Sequence, residues 1–429
     1  MKIMISGTKD FFRFRQRVSR RGRSEFEKVE RSVRKIVAGI REKGDPELLR
    51  LTRKYDGWKA SLKNIQVSPK EMRAALKILE RQEQEALEFT GDRITQFHAL
   101  QAQKSWSFAE EDGTILGQIV RPMERVGIYV PGGKAAYPSS VLMNAIPARV
   151  AGVRKIIMTC PAPNGYLNPR VLAAAHIAGV NRIFKVGGAQ AIAAMAFGTK
   201  TIPKVDKIAG PGNIYVASAK RIVFGEVAID SIAGPSEILI ISDRSGDPAF
   251  VAADLLAQAE HDERAAAVLL CLTKSFAKAV QKEIASQLAA LPRRRIADAS
   301  LRDFGAILVV KNLSEAAGIA NDLAPEHLEL AVAEPFRLLA KIENAGAIFL
   351  GHISPEAIGD YVAGPNHVLP TGGTARFSSP LGVYDFLKRS SLICLSPGGL
   401  KKLSPPAMRL AQMENLEGHR ESVRKRQEG

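Results

Sequence analysis

Cysteine is scarce in this sequence, and so are tryptophan and long apolar runs. The three cysteines, Cys160, Cys271 and Cys394, are odd in number and lack paired spacing, which argues against a disulfide framework and a cysteine-rich zinc module. Cys160 follows an apolar stretch and precedes Pro161, a setting that suits a buried thiol better than a nucleophile. No apolar run approaches the roughly 18 residues of a membrane span, and the basic start, 1–14, has no apolar core of the secretory-signal kind. A cytoplasmic protein without membrane association is expected. A strong internal sequence repeat is also missing, so any duplication between halves would be structural only.

What is present is an ordinary globular mixture, 46% hydrophobic and 24% charged over 429 residues, long enough for two or more domains. The compositional oddity is a net charge of +17. Residues 1–54 hold 17 Lys or Arg against 7 Asp or Glu, more than half of that excess. Phe11, Phe12 and Phe14 interleave with Arg13, Arg15 and Arg17, as on a nucleic-acid platform. No reading helix accompanies them, and 25–40 has the mixed charge of a common amphipathic helix, so no nucleic-acid partner is expected.

The spacing predicts a helix over 24–43, with Phe26, Val29, Val33, Ile36, Val37 and Ile40 on its apolar side. Gly44-Asp45-Pro46 ends it, and a long helix over about 68–98 follows. From 118 onward, short β-rich runs alternate with helical stretches. Candidate strands are 126–130, 155–159, 182–186, 205–208 and 227–229, then 238–242, 267–272, 306–310, 328–332 and 347–350. Strands alternating with helices imply parallel, doubly wound sheets with right-handed crossovers. The last section, 381–429, reads as helical, with one helix from about 407 to 424 carrying both Glu414 and His419.

Three glycine-rich turns follow strands of the first series: Pro131-Gly132-Gly133, Gly187-Gly188-Ala189-Gln190 and Gly210-Pro211-Gly212-Asn213. Such turns can receive phosphates on backbone N–H groups. None spells the Gly-x-Gly-x-x-Gly fingerprint, and glycine also serves simply to enter a helix tightly. Asp254, Gln258 and His261 fall at i, i+4 and i+7 on one helical stripe, which is either a ligand face or a solvated surface. Glu326-His327 after Pro325, Asp360, and Glu414 with His419 add further polar clusters. Imidazoles with oxygen donors suit Zn²⁺, with Mn²⁺ or Co²⁺ as substitutes, and an adjacent Glu and His at a turn suit acid/base work.

Taken in order, eight segments resemble the histidinol dehydrogenase family: 126–133, 186–193, 210–213, Ala233-Gly234-Pro235-Ser236-Glu237, 253–261, 324–329, Gly359-Asp360-Tyr361 with Gly364-Pro365-Asn366-His367, and 414–419. The resemblance spans the chain from about residue 24. It implies a fold of two doubly wound, incomplete Rossmann-like α/β domains with mainly parallel sheets, an N-terminal arm and a helical C-terminal tail. The expected boundaries are a basic arm at 1–23, a discontinuous domain from 24–128 and 238–380 carrying most metal and catalytic residues, an NAD-contacting domain at 129–237, and a tail at 381–429. It also implies oxidation of L-histidinol through L-histidinal to L-histidine, the last step of histidine biosynthesis, with NAD and one zinc ion per subunit. Carried over by position, Gln258, His261, Asp360 and His419 would hold zinc, and Glu326 and His327 would be the catalytic acid/base residues. Ser236, Gln258, His261, His327, Asp360, Glu414 and His419 would touch substrate, while Tyr129, Gln190 and Asn213 would contact NAD. The implied assembly is a homodimer in which the tail crosses over, so that Glu414 and His419 serve the partner's site.

Two departures stand out. Ser231-Ile232 occupies a place where the family commonly shows Met-Pro, which touches the stiffness of the loop bearing Ser236, and Asp262-Glu263-Arg264 replaces a more usual short turn. A related zinc/NAD dehydrogenase of another small alcohol, such as a sulfonated diol, is the alternative. Glu414 speaks against it, since an acidic side chain suits a cationic substrate. A basic binding protein that keeps the scaffold without activity is the third reading.

Overall fold

The computed structural model describes residues 1–428 except 20, 22 and 133–135, and for residues 19 and 23–25 the backbone alone. Gly133 of the first glycine turn therefore lies outside the described residues. The chain divides into two compact units, one formed by 1–101 and 124–386, the other by 102–123 and 387–429.

The larger unit is α/β and contains, among the described residues, two six-stranded sheets. The first runs Gln66–Val67, Arg182–Phe184, Lys155–Thr159, Arg125–Tyr129, Lys207–Ala209, Ala228–Ile229, parallel except for its first member. The second is parallel throughout: Lys2–Ile5, Gly305–Val309, Ala266–Cys271, Glu237–Ser242, His327–Ala331, Ala347–Leu350. Its central strands, Glu-Ile-Leu-Ile-Ile-Ser and Ala-Ala-Val-Leu-Leu-Cys, are buried at every position. Continuous apolar runs of this kind belong to parallel sheets covered by helices on both faces. Separate cores form on those faces, one around Phe11, Phe14 and Leu328, the other around Leu255, Leu269 and Val280.

Several expectations need correction. The basic arm is not an appendage. Lys2–Ile5 is the edge strand of the second sheet, and helix Lys9–Ser19 buries Phe11, Phe14 and Val18, so the arginines between them face outward. The helices of 24–101 pack mainly on the first sheet's layer, although Arg93 of this stretch donates to the Ala363 carbonyl oxygen at 2.8 Å. Gln66–Val67 pairs with Arg182–Phe184, and Val33, Val37 and Ile40 share a core with Ile192 and Ile208 of the first sheet's layer. Apolar faces pack wherever the topology delivers a matching face, which a linear boundary cannot foresee. The expected single helix over 68–98 is two, Pro69–Ile78 and Arg81–Ala99, separated by extended backbone at Leu79 and Glu80.

The smaller unit holds a three-stranded antiparallel sheet, Trp106–Ala109, Ile115–Pro122 and Leu387–Cys394, followed by helices Pro397–Met413 and Glu417–Glu428. The tail is therefore not wholly helical. The first hairpin turns at Asp112-Gly113, where Gly113 takes φ 86 and Asp112 Oδ1 accepts the Thr114 N–H at 2.8 Å. Asp-Gly between apolar runs is a strong hairpin signal, and it marks a sheet that periodicity overlooked. Glu414 and His419 are not in one helix. Glu414 closes the first, Asn415 takes a left-handed φ of 57, and His419 lies in the second. No helix among the described residues is long and apolar enough to cross a membrane.

Candidate active site

In the larger unit a cleft of about 450 Å³ is lined by residues after the carboxyl ends of the first sheet's strands, such as Pro131 and Gly212-Asn213. It is also lined by residues at the amino ends of the second sheet's strands, including Ser236, Glu326 and His327. Chain direction explains which side chains arrive there. Helix Pro248–Ala259 is the crossover between two parallel strands, so it runs back toward their amino ends and delivers Gln258 and His261. Asp247 caps its start by accepting the Ala249 N–H at 2.7 Å. Helix Leu313–Leu323 ends at the left-handed Ala324, φ 47, and the turn through Pro325 brings Glu326 and His327 to the head of the next strand.

Glu326 and His327 are both buried. The Glu237 N–H donates to Glu326 Oε2 at 2.9 Å, and His327 Nδ1 meets the Glu237 carbonyl oxygen at 3.2 Å. His327 Nδ1 is also 3.9 Å from Glu326 Oε2, while its Nε2 lies 3.6 Å from Asp360 Oδ1 and 3.7 Å from Glu356 Oε1. The imidazole thus stands among three carboxyl groups. Burial alone would lower its pKa, but Glu326, Asp360 and Glu356 outweigh that and push it up to about 10. Burial pushes Glu326 up to about 7 against the pull of His327 and the Glu237 N–H. Glu356 rises to about 7, again by burial, whereas the nearby His327 imidazole and its charge hold Asp360 below its ordinary value despite its burial.

One ligand atom each of His261, Glu356 and Asp360 lie within 4.8 Å of one another. His261 is the exposed member and Glu356 the most buried. Gln258 is fully buried, and neither amide atom has a hydrogen-bond partner; Glu356 Oε1 and His327 Nε2 are likewise buried and unbonded. Buried polar atoms without partners are costly, and nitrogen and oxygen donors in this array fit a divalent ion such as zinc. Glu356 escaped the sequence reading, although its spacing of four from Asp360 puts both on one helical face. Asp254 does not join the array. Burial pushes it up to about 6, and it faces Glu329, whose Oε1 accepts the Glu356 N–H at 2.9 Å. His367, in the Gly364-Pro365-Asn366-His367 segment, has Nδ1 2.8 Å from the Asp360 carbonyl oxygen.

Of the glycine-turn residues, Gly212 and Asn213 line the cleft, whereas Tyr129, Gly188 and Gln190 are not among its lining residues. The Tyr129 hydroxyl accepts the Gly188 N–H at 3.1 Å, and Gln190 is buried in the first turn of helix Gly188–Phe197. Asn213 lines the cleft and caps helix Ile214–Val223, accepting from Tyr215 N at 3.0 Å and Val216 N at 3.2 Å. Gly210, at φ 109, admits no side chain, since a Cβ there would run into the Tyr129 carbonyl oxygen. Cys160 is a buried thiol pushed up to about 12 by burial, chemistry unsuited to a nucleophile. The loop bearing Ser236 is tied without the Met-Pro pair: the Gly234 N–H donates to Thr371 Oγ1 at 2.6 Å. The 262–264 departure forms a turn in which Asp262 Oδ1 accepts the Arg264 N–H at 3.0 Å. Glu414 and His419 are exposed residues of the smaller unit.

A family model described as histidinol dehydrogenase matches residues 19–427. Histidinol dehydrogenase of Syntrophotalea carbinolica is 54% identical over 423 residues, 99% of this chain and 98% of that protein. The enzyme of that name from Aquifex aeolicus is 53% identical over 409 residues, 95% of each. The crystal structure of histidinol dehydrogenase from Elizabethkingia anophelis superposes with a TM-score of 0.89 at 37% identity, covering 93% of this chain and 92% of that one.

Proposed function

The chain belongs to the histidinol dehydrogenase family, and from that premise we propose that it oxidises L-histidinol to L-histidine by way of L-histidinal in the cleft just described. The observation that carries this reading is the donor array of His261, Glu356 and Asp360 set against His327, whose other ring nitrogen faces Glu326.

Gln258, His261 and Asp360 would hold zinc, with His419 as the fourth ligand; Glu356 is poised beside them. When bound, zinc supplies a Lewis-acidic anchor for the substrate's imidazole and amine, which is catalysis by orientation. The orphaned amide of Gln258 supports this assignment. NAD would supply the acceptor for both oxidations. The glycine turns at 187–188 and 210–213, and a first turn at Gly188 with no side-chain cap, are suited to its phosphates. Tyr129, Gln190 and Asn213 would line its path, and Ser236 would meet the substrate.

His327 takes the alcohol proton in the first oxidation, and the carboxylates around it stabilise the imidazolium that results. A cation bound by Asp360 and His261 would offset part of this negative field and so release the neutral imidazole that the step requires. Glu326 activates the water that adds to the aldehyde, and His327, having released the first proton to solvent, takes a second from the hydrate. Holding the aldehyde in the cleft protects it from side reactions, the reason for using one site twice.

The assembly we infer is a homodimer in which Glu414 and His419 reach the partner's site. Trp106, Phe108, Ile393, Leu410 and Met413 of the smaller unit are large apolar side chains left exposed, as interface residues would be. A cytoplasmic setting suits a chain that acts on small polar metabolites.

Purified protein given L-histidinol and excess NAD should yield about two NADH per substrate consumed, since each oxidation removes one electron pair. A ratio near one, or no turnover with zinc added, overturns the proposal.

A further inference from the structure

We propose that Arg21, at the end of the basic N-terminal segment, is a positioning residue for Glu326 and His327, acting through the buried carboxylate of Glu237. The inference rests on the roles given above to Glu326 and His327.

Glu237 joins both of them through its backbone. Its N–H holds the Glu326 carboxylate at 2.9 Å and its carbonyl oxygen meets His327 Nδ1 at 3.2 Å. Where the Glu237 backbone sits therefore decides where the acid/base pair sits. Its side chain is held by Arg21, paired with Oε2, and by backbone N–H groups, of which Gly372 donates to Oε1 at 3.0 Å and those of Glu326 and Gly373 also face the carboxylate. The side chains of Arg21 and Glu237 are only 2% and 9% exposed. Arg21 also donates to the Arg264 carbonyl oxygen at 3.1 Å and the Pro235 carbonyl oxygen at 3.4 Å, and its guanidinium lies 5.8 Å from the Phe304 ring centre. One side chain thus clamps the loop before Ser236, the turn after His261 and the head of the strand that carries the hub.

A buried ion pair is a poor way to gain stability alone, because desolvating both charges consumes most of their attraction. Removing one partner is worse, since the other is left buried and uncompensated. Without Arg21, Glu237 must take up a proton or draw in water, and either moves the backbone that holds Glu326 and His327. Displacements of about 1 Å in such a constellation cost on the order of 100-fold in rate.

The test compares Arg21→Met, Arg21→Lys, Glu237→Gln and the double variant Arg21→Met/Glu237→Gln, using L-histidinol, NAD and the zinc-loaded enzyme, with zinc content and melting temperature measured alongside. Arg21→Met should lower kcat about 100-fold while KM for L-histidinol changes less than about threefold and bound zinc is retained. Adding Glu237→Gln removes the stranded charge and keeps an acceptor for Gly372, and should recover about tenfold of the lost kcat. Arg21→Lys keeps the charge but not the forked geometry, so it should fold and lose about tenfold. A kcat for Arg21→Met or Arg21→Lys equal to that of the unaltered enzyme overturns the inference, as does a double variant no better than Arg21→Met alone. Failure of the unaltered enzyme to oxidise L-histidinol would instead count against the function proposed above.

Discussion

The two six-stranded sheets of the larger unit are built alike yet face the cleft with opposite ends. The first offers the carboxyl ends of its strands, where the chain turns through Pro211-Gly212-Asn213 into a helix. What it presents is mainly backbone. The second offers the amino ends, where Glu237, Glu326 and His327 stand, together with the return end of helix Pro248–Ala259. What it presents is ionisable side chains. Backbone N–H groups at helix starts suit diffuse phosphate charge, whereas metal binding and proton transfer need side chains whose placement is set by several elements at once.

The comparison can be broken most sharply on the side-chain half. His261→Asn should abolish zinc retention and lower kcat/KM by at least about 1,000-fold; unchanged metal content in the purified variant would refute the ligand assignment. A His419 variant mixed with a His327 variant tests whether the array is completed from another chain. Under subunit exchange some mixed dimers should regain one working site, up to about a quarter of normal activity for statistical mixing. No recovery despite exchange counts against a crossing tail.

Acidity gives a milder effect. Because burial lifts Glu326 to about 7, the fraction able to act as a base falls below that pH and rises above it. Oxidation of added L-histidinal should therefore climb about tenfold per pH unit below the transition and level off above it. Glu326→Gln should lose about 100-fold or more in this step and abolish that climb, and a variant that kept the profile would transfer the role elsewhere. On the backbone half, Gly210→Ala should destabilise the fold by about 1–3 kcal/mol through strain at positive φ and the clash with Tyr129. A melting temperature unchanged by this substitution would show that the turn can relax.

Much of the strand layer was legible because parallel strands covered on both faces leave uninterrupted apolar runs, as at 238–242 and 267–272. The smaller sheet was not. Its strands have no buried position and no regular alternation, although Asp112-Gly113 marked the turn. In the site, Gln258, His261, Glu326, His327 and Asp360 were picked out because chemically active side chains stand in short recognisable segments. Glu356 lay one helical turn before Asp360 and was passed over, for a lone Glu at a helix start reads as an ordinary first-turn acid. Nothing local distinguishes Arg21 from the arginines beside it, and only the distant Glu237, 216 residues away along the chain, gives it a partner.

By itself the sequence determined the α/β class, the ten strands of the two alternating series and the short segments that mark the family, because each depends on periodicity or on residues close in the chain. Only the tertiary structure decided which sheet the helices of 24–101 cover and which strand ends meet in the cleft. It also decided that the basic arm is an edge strand, a core helix and a buried counter-charge. Those outcomes depend on desolvation and on contacts between residues hundreds of positions apart, and a buried arginine is spelled with the same letter as an exposed one.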